Sequence, residues 1–129
     1  MWKSVVNKGF KTFSNSGFET WHTQSKNISA VEEDYLGNLW LGNPYNGIDV
    51  FYWPKGTTYR FNHQKNIPNS LGEGATFALC ADGTDMWIGT YNGGLQKLNK
   101  ELNRFTTYRH DPQNAQSIAG NDVRAIAMD

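Results

Sequence analysis

Glu32, Glu33 and Asp34 stand side by side, and adjacent carboxylates raise the possibility of an acid and base pair for cleaving a glycosidic bond. Strand geometry argues against it. Successive side chains on a strand point to opposite faces, so Glu32 and Glu33 do not meet one substrate. Asp34, Asp82 and Asp129 recur at one place in a repeat, as expected of a turn aspartate accepting from backbone amides. His63 and His110 recur as well, with His22 near the same place. A metal needs several ligands converging on one point. Equivalent residues of successive repeats lie apart, so these histidines are expected to bond their own loops, with no metal site. No Gly-rich turn opens a helix. Neither a catalytic residue nor a cofactor is expected.

Binding is the more promising chemistry. Arg124 stands where the other repeat copies have Ser29 and Phe77. Pointed into a central channel it would bind a sugar or an acid; turned away it would pair with a neighbouring loop. Trp53 precedes the turn formers Pro54-Lys55-Gly56, and Tyr45 lies between Asn43-Pro44 and Asn46-Gly47; the repeat fixes neither aromatic. Each is suited to stacking on a pyranose ring or to an ordinary rim contact. Trp2, Trp40 and Trp87 share one repeat position, which favours packing between units over sugar stacking. Cys80 reads as a small buried residue.

Composition narrows the field. The 129 residues carry 12 basic and 12 acidic side chains, a formal net charge of zero, which argues against nucleic acid as a partner. Aromatics make up 14%, more than a disordered chain carries. The single cysteine excludes an intrachain disulfide. No run approaches the roughly 20 apolar residues of a membrane helix, and the first residues lack the apolar core of a signal peptide. Membrane contact and an export signal are therefore not expected of this stretch, and both could lie on a longer parent. The 13 glycines and 14 asparagines announce many turns.

The positions of those turns reveal a repeat. Shifted by 47 residues, Leu39-Trp40-Leu41-Gly42 falls on Met86-Trp87-Ile88-Gly89. Phe61 falls on Tyr108, His63 on His110, Ser70-Leu71 on Ser117-Ile118 and Ala78-Leu79 on Ala125-Ile126. A shortened copy opens the chain, with Trp2, Gly9 and Phe13 spaced like Trp40, Gly47 and Phe51. Each unit holds four segments of about five residues, rich in β-branched and aromatic types. Segment A covers 28–33, 76–81 and 123–128, segment B contains the tryptophan, segment C covers 47–53 and 94–98, and segment D covers 58–62 and 104–108. No apolar period of 3.6 runs for three turns.

Four short antiparallel strands per unit of 40 to 50 residues predict an all-β chain of β-propeller blades. Small residues at Ala30, Ala78 and Ala125 place segment A innermost, and Arg60, Arg104 and Arg109 place segment D at the solvated rim. The order BCD-ABCD-ABCD-A supplies three blades' worth of strands. Blade 1 takes residues 1–27 plus a C-terminal strand over 121–129, blade 2 takes 28–75 and blade 3 takes 76–120.

The units Asp34-Tyr35-Leu36-Gly37-Asn38-Leu39-Trp40-Leu41-Gly42 and Trp87-Ile88-Gly89-Thr90-Tyr91-Asn92-Gly93-Gly94-Leu95 resemble the two-component regulator propeller repeat. His110-Asp111-Pro112 and Ser117-Ile118-Ala119-Gly120-Asn121-Asp122-Val123 extend the likeness. That repeat builds the periplasmic sensor region of hybrid two-component systems in Bacteroides-type bacteria. The resemblance implies a non-catalytic periplasmic module that recognises an oligosaccharide, or else a partner, and signals to a histidine kinase outside these residues.

Two other readings stand beside it. A propeller lyase or glycosidase-like enzyme would place a non-repeated cluster of His, Glu or Lys on its inner strands, where this chain offers only Glu32, Glu33 and Arg124. A structural or truncated propeller unit would assemble as a homo-oligomeric ring. Three blades are too few to close, since propellers have about four to eight. A head-to-tail ring of two chains is therefore expected, or else the remainder of a larger propeller.

Overall fold

The computed structural model describes residues 2–6, 9–14, 17–21, 27–45, 47–52, 56–101 and 103–129, the first three stretches as backbone alone. Strands β1 (Trp2–Val6), β2 (Gly9–Ser14) and β3 (Gly17–Trp21) form a three-stranded sheet in that order. The second sheet runs β4 (Ala30–Glu33), β5 (Leu39–Gly42), β6 (Ile48–Tyr52) and β7 (Thr57–Phe61). The third runs β8 (Thr76–Asp82), β9 (Asp85–Thr90), β10 (Leu95–Asn99) and β11 (Arg104–Tyr108). Every neighbouring pair is antiparallel. No helix occurs among the described residues. These are blades of a partial propeller.

The sequence predicts a twelfth strand over 123–128, and the described residues form eleven. β4 and β8 each pair with the strand that follows them. Residues 123–128 find no such partner among the described residues and join no sheet.

Alternation along β5 and β6 gives blade 2 two apolar faces. Trp40, Ile48 and Val50 meet Leu79, Met86, Ile88, Leu98 and Phe105 of blade 3 in one cluster. Leu39, Leu41 and Phe51 form a second cluster with Ile28. Met86, Ile88 and Leu98 are the repeat equivalents of Leu39, Leu41 and Phe51, so equivalent faces recur from blade to blade. Burial of such side chains supplies the main drive for stacking one sheet on the next. The outermost strands are mostly exposed, as a solvated rim requires.

Glycine sets how closely the blades approach. A Cβ on Gly42 would lie 2.6 Å from Thr76 Cγ2, where blade 3 begins. Its equivalent Gly89 would bring a Cβ within 2.6 Å of the Val123 carbonyl oxygen. The Thr76 N–H donates to Asn43 O at 3.1 Å, and the Val123 N–H donates to Thr90 O at 3.0 Å. The same seam therefore forms twice, 47 residues apart.

The loops from the D segment to the next A segment repeat almost bond for bond. His63 Nδ1 donates to Leu71 O at 2.8 Å, and His110 Nδ1 donates to Ile118 O at 2.8 Å. Because a carbonyl can only accept, each ring carries its proton on Nδ1. Ser70 Oγ accepts from the Gln64 N–H at 3.1 Å, and Ser117 Oγ accepts from the Asp111 N–H at 2.9 Å.

Candidate functional site

The acidic run is structural. The Asp34 carboxylate accepts from the backbone N–H groups of Leu36 and Asn38, each at 3.0 Å, closing the turn into β5. It also accepts from the Trp40 indole at 3.0 Å and from Lys100 Nζ of blade 3 at 3.1 Å. Lys100 at the same time lies 5.3 Å from the centre of the Trp40 ring. Burial pushes the Asp34 carboxyl up, but the bonds from Trp40, the Asn38 backbone, Lys100 and the Asn38 side chain outweigh it and hold it below its ordinary range. Glu32 turns to blade 3, where Oε2 accepts from the Ala81 N–H at 3.1 Å. Glu33 is exposed. The two glutamates do not form a catalytic pair.

Trp40 is fully buried, with Phe61 stacked on it at 5.7 Å and 14°. Trp87 repeats its indole bond, to Asp82 at 3.0 Å, but is half-buried. Lys97 lies 4.9 Å from its ring centre. Both tryptophans are packing residues. Cys80 is buried, and burial pushes its thiol up, helped by the charges of Glu32 and Asp82. Among the described residues no three His, Cys, Asp or Glu side chains come together as a metal site would need. Nor, among the described residues, is any helix long and apolar enough to cross a membrane.

Arg124 is exposed, and its guanidinium lies 5.6 Å from the centre of the Phe77 ring. Phe77 meets Tyr91 edge to face at 6.0 Å. Tyr91 stands on the turn joining β9 to β10 and is 49% exposed. Its neighbour Asn92 adopts a left-handed backbone (φ 61°), steadied where the Asn92 N–H donates to Asp122 Oδ1 at 2.7 Å and where Arg109 Nη2 donates to Asn92 O at 3.2 Å. A cation, two rings and a braced turn thus share one end of blade 3. Arg124 makes no ion pair with any described residue.

Tyr45 occupies the corresponding turn of blade 2, between β5 and β6, and is 71% exposed. Its N–H donates to Asn43 Oδ1 at 3.0 Å, and its hydroxyl accepts from Asn27 Nδ2 at 3.5 Å. No ring or hydrogen-bond contact among the described residues joins Tyr45 to Arg124. Trp53 lies outside the described residues. Phe77 and Tyr91 were not singled out by the sequence reading, yet both depart from the repeat, standing where blade 2 has Ser29 and Pro44.

No family model matches this chain, and no curated protein does. Solved structures do. The extracellular domain of a hybrid two-component system, BT3049 of B. thetaiotaomicron, matches with a TM-score of 0.64 and 23% identity over 74% of this chain. Two structures of the extracellular domain of BT4673 from the same organism, described in one as a one-component and in the other as a hybrid two-component system, match with TM-scores of 0.74 and 0.72. Their identity is 19%, over 98% and 97% of this chain. This chain shares the fold of these extracellular domains. The likeness agrees with the resemblance carried by the repeat. The chain spans 13% of the first domain and 17% of the other two.

Proposed function

We propose that this chain is a non-catalytic module of a periplasmic sensor that recognises an oligosaccharide and passes the signal to a kinase on other residues. The observation that carries the reading is the group of exposed Arg124 and Tyr91 with half-buried Phe77, on a fold shared with extracellular domains of two-component systems. Aromatic faces take the C–H surface of a sugar ring, and a guanidinium free of carboxylates takes hydroxyl or acidic substituents. The separated roles of Glu32 and Asp34 give a glycosidase reading no acid and base pair. Calorimetry of the full chain against neutral and acidic oligosaccharides tests the proposal. Binding should weaken at least several-fold in Arg124→Gln; undiminished binding in that variant would overturn it.

A second reading concerns assembly. The face of blade 3 bearing Trp87 is equivalent to the blade 2 face that blade 3 covers, and β1 stands at the free edge of its sheet. A ring of two chains would let residues 121–129 of one copy complete the blade begun by residues 1–27 of the other. Light scattering should then give twice the 14.6 kDa of one chain. A monomer at high concentration would rule out the ring.

A further inference from the structure

We propose a second saccharide site, in the groove between blades 2 and 3 beside strand β7, that takes a single neutral pyranose ring. A cavity of about 230 Å³ opens there. Ligand pockets for drug-sized molecules run to roughly 300–1,000 Å³, so this one is scaled to one ring. Phe105 is buried within its wall, Phe61 half-buried and Tyr59 46% exposed. Tyr59 packs edge-on against Phe61 at 4.9 Å and against Tyr52 at 6.2 Å, so its face is held in place before any ligand arrives.

The polar lining fits a sugar rather than an ion. Asn62, Asn69 and Asn103 line the groove, and their side-chain amides bond no described residue. Each amide offers both donors and an acceptor, as hydroxyl pairs require. The one charged residue lining the cavity, Arg60, already gives its Nε to Asp49 at 2.8 Å. The groove thus offers an acidic sugar no unpaired cation, unlike the surface around Arg124.

The repeat sets the groove apart from its scaffold. His63, Ser70 and Leu71 hold the loop, the last two also lining the groove, and blade 3 repeats them as His110, Ser117 and Ile118. The groove positions Tyr59, Asn62 and Asn69 become Thr106, Arg109 and Gln116. Within the lining, the loop-holding positions are kept while the aromatic and amide positions Tyr59, Asn62 and Asn69 change, so folding does not dictate the identity of those three.

Nitrogen-labelled full chain titrated with cellobiose, mannobiose and digalacturonate tests the site. One or both neutral disaccharides should shift the side-chain amide signals of Asn62, Asn69 and Asn103. Tyr59→Ala should weaken that binding about tenfold, and Asn62→Ala, at an exposed position that leaves packing intact, should weaken it as well. Unmoved groove amides, shifts that survive both substitutions, or digalacturonate held there as tightly as the neutral sugars would overturn the site. Shifts confined to Tyr91 and Arg124 would overturn it while supporting the other surface. Groove shifts with a silent Arg124 would support it alone.

Discussion

Lys100 of blade 3 reaches Asp34 of blade 2 at 3.1 Å, with the Asp34 carboxylate almost fully buried. The bond ties two sheets at a point where a charge already closes a turn. The Asp34 carboxyl lies below its ordinary range, so its ionised form is the one the fold favours. The stabilisation is therefore present above about pH 4, the unfolded value, and is lost as pH falls through the lower folded value. Thermal melts from pH 7 to pH 2 should show this acid limb, and Asp34→Asn should flatten it while lowering stability at pH 7.

Trp40 and Trp87 hold equivalent places with unequal burial. Trp40→Ala removes a ring packed on all sides and should cost about 3–5 kcal/mol in urea unfolding. Trp87→Ala, at a half-buried face, should cost clearly less. Equal costs would mean that Trp87 is as well covered in solution as Trp40.

Gly42 and Gly89 offer a similar contrast. A Cβ at Gly42 meets Thr76, which is fully buried and anchored in β8, so Gly42→Ala should destabilise by about 1–3 kcal/mol. A Cβ at Gly89 meets the Val123 carbonyl oxygen, on a segment outside any sheet that the Val123 N–H bond to Thr90 O holds beside β9. Gly89→Ala should cost less than Gly42→Ala in a chain that stays monomeric, and as much if assembly holds Val123 in a strand.

Cys80 should resist chemistry. Its thiol is buried and pushed up, so little thiolate forms near neutral pH. Iodoacetamide at pH 7.5 should modify the folded chain at least tenfold more slowly than the urea-unfolded chain, as followed by mass spectrometry.

Most of the strand plan was legible because a 47-residue period fixes turns and tryptophans together. The turn role of Asp34 and the loop role of His63 and His110 followed from recurrence alone, and the bonds at Leu36, Asn38, Leu71 and Ile118 match them. Residues 123–128 showed the limit of that logic. Their sequence is strand-like, but a strand needs an edge to pair with, and pairing is a property of neighbours. The Lys100 bond to Asp34 was not legible either, because it joins residues 66 positions apart that no repeat equates. Arg124 could be named from the sequence. Its contact with Phe77 depended on the fold, which sets equivalent residues of successive inner segments side by side.

The matching bonds of loops 62–75 and 109–122 make each loop a cassette closed by its own histidine and serine. A cassette that carries its own fasteners tolerates exchange of what it displays. Asn62 and Asn69 can be traded for Arg109 and Gln116 while the fasteners stay in place. Ligand preference could therefore drift blade by blade, without the architecture having to be rebuilt each time.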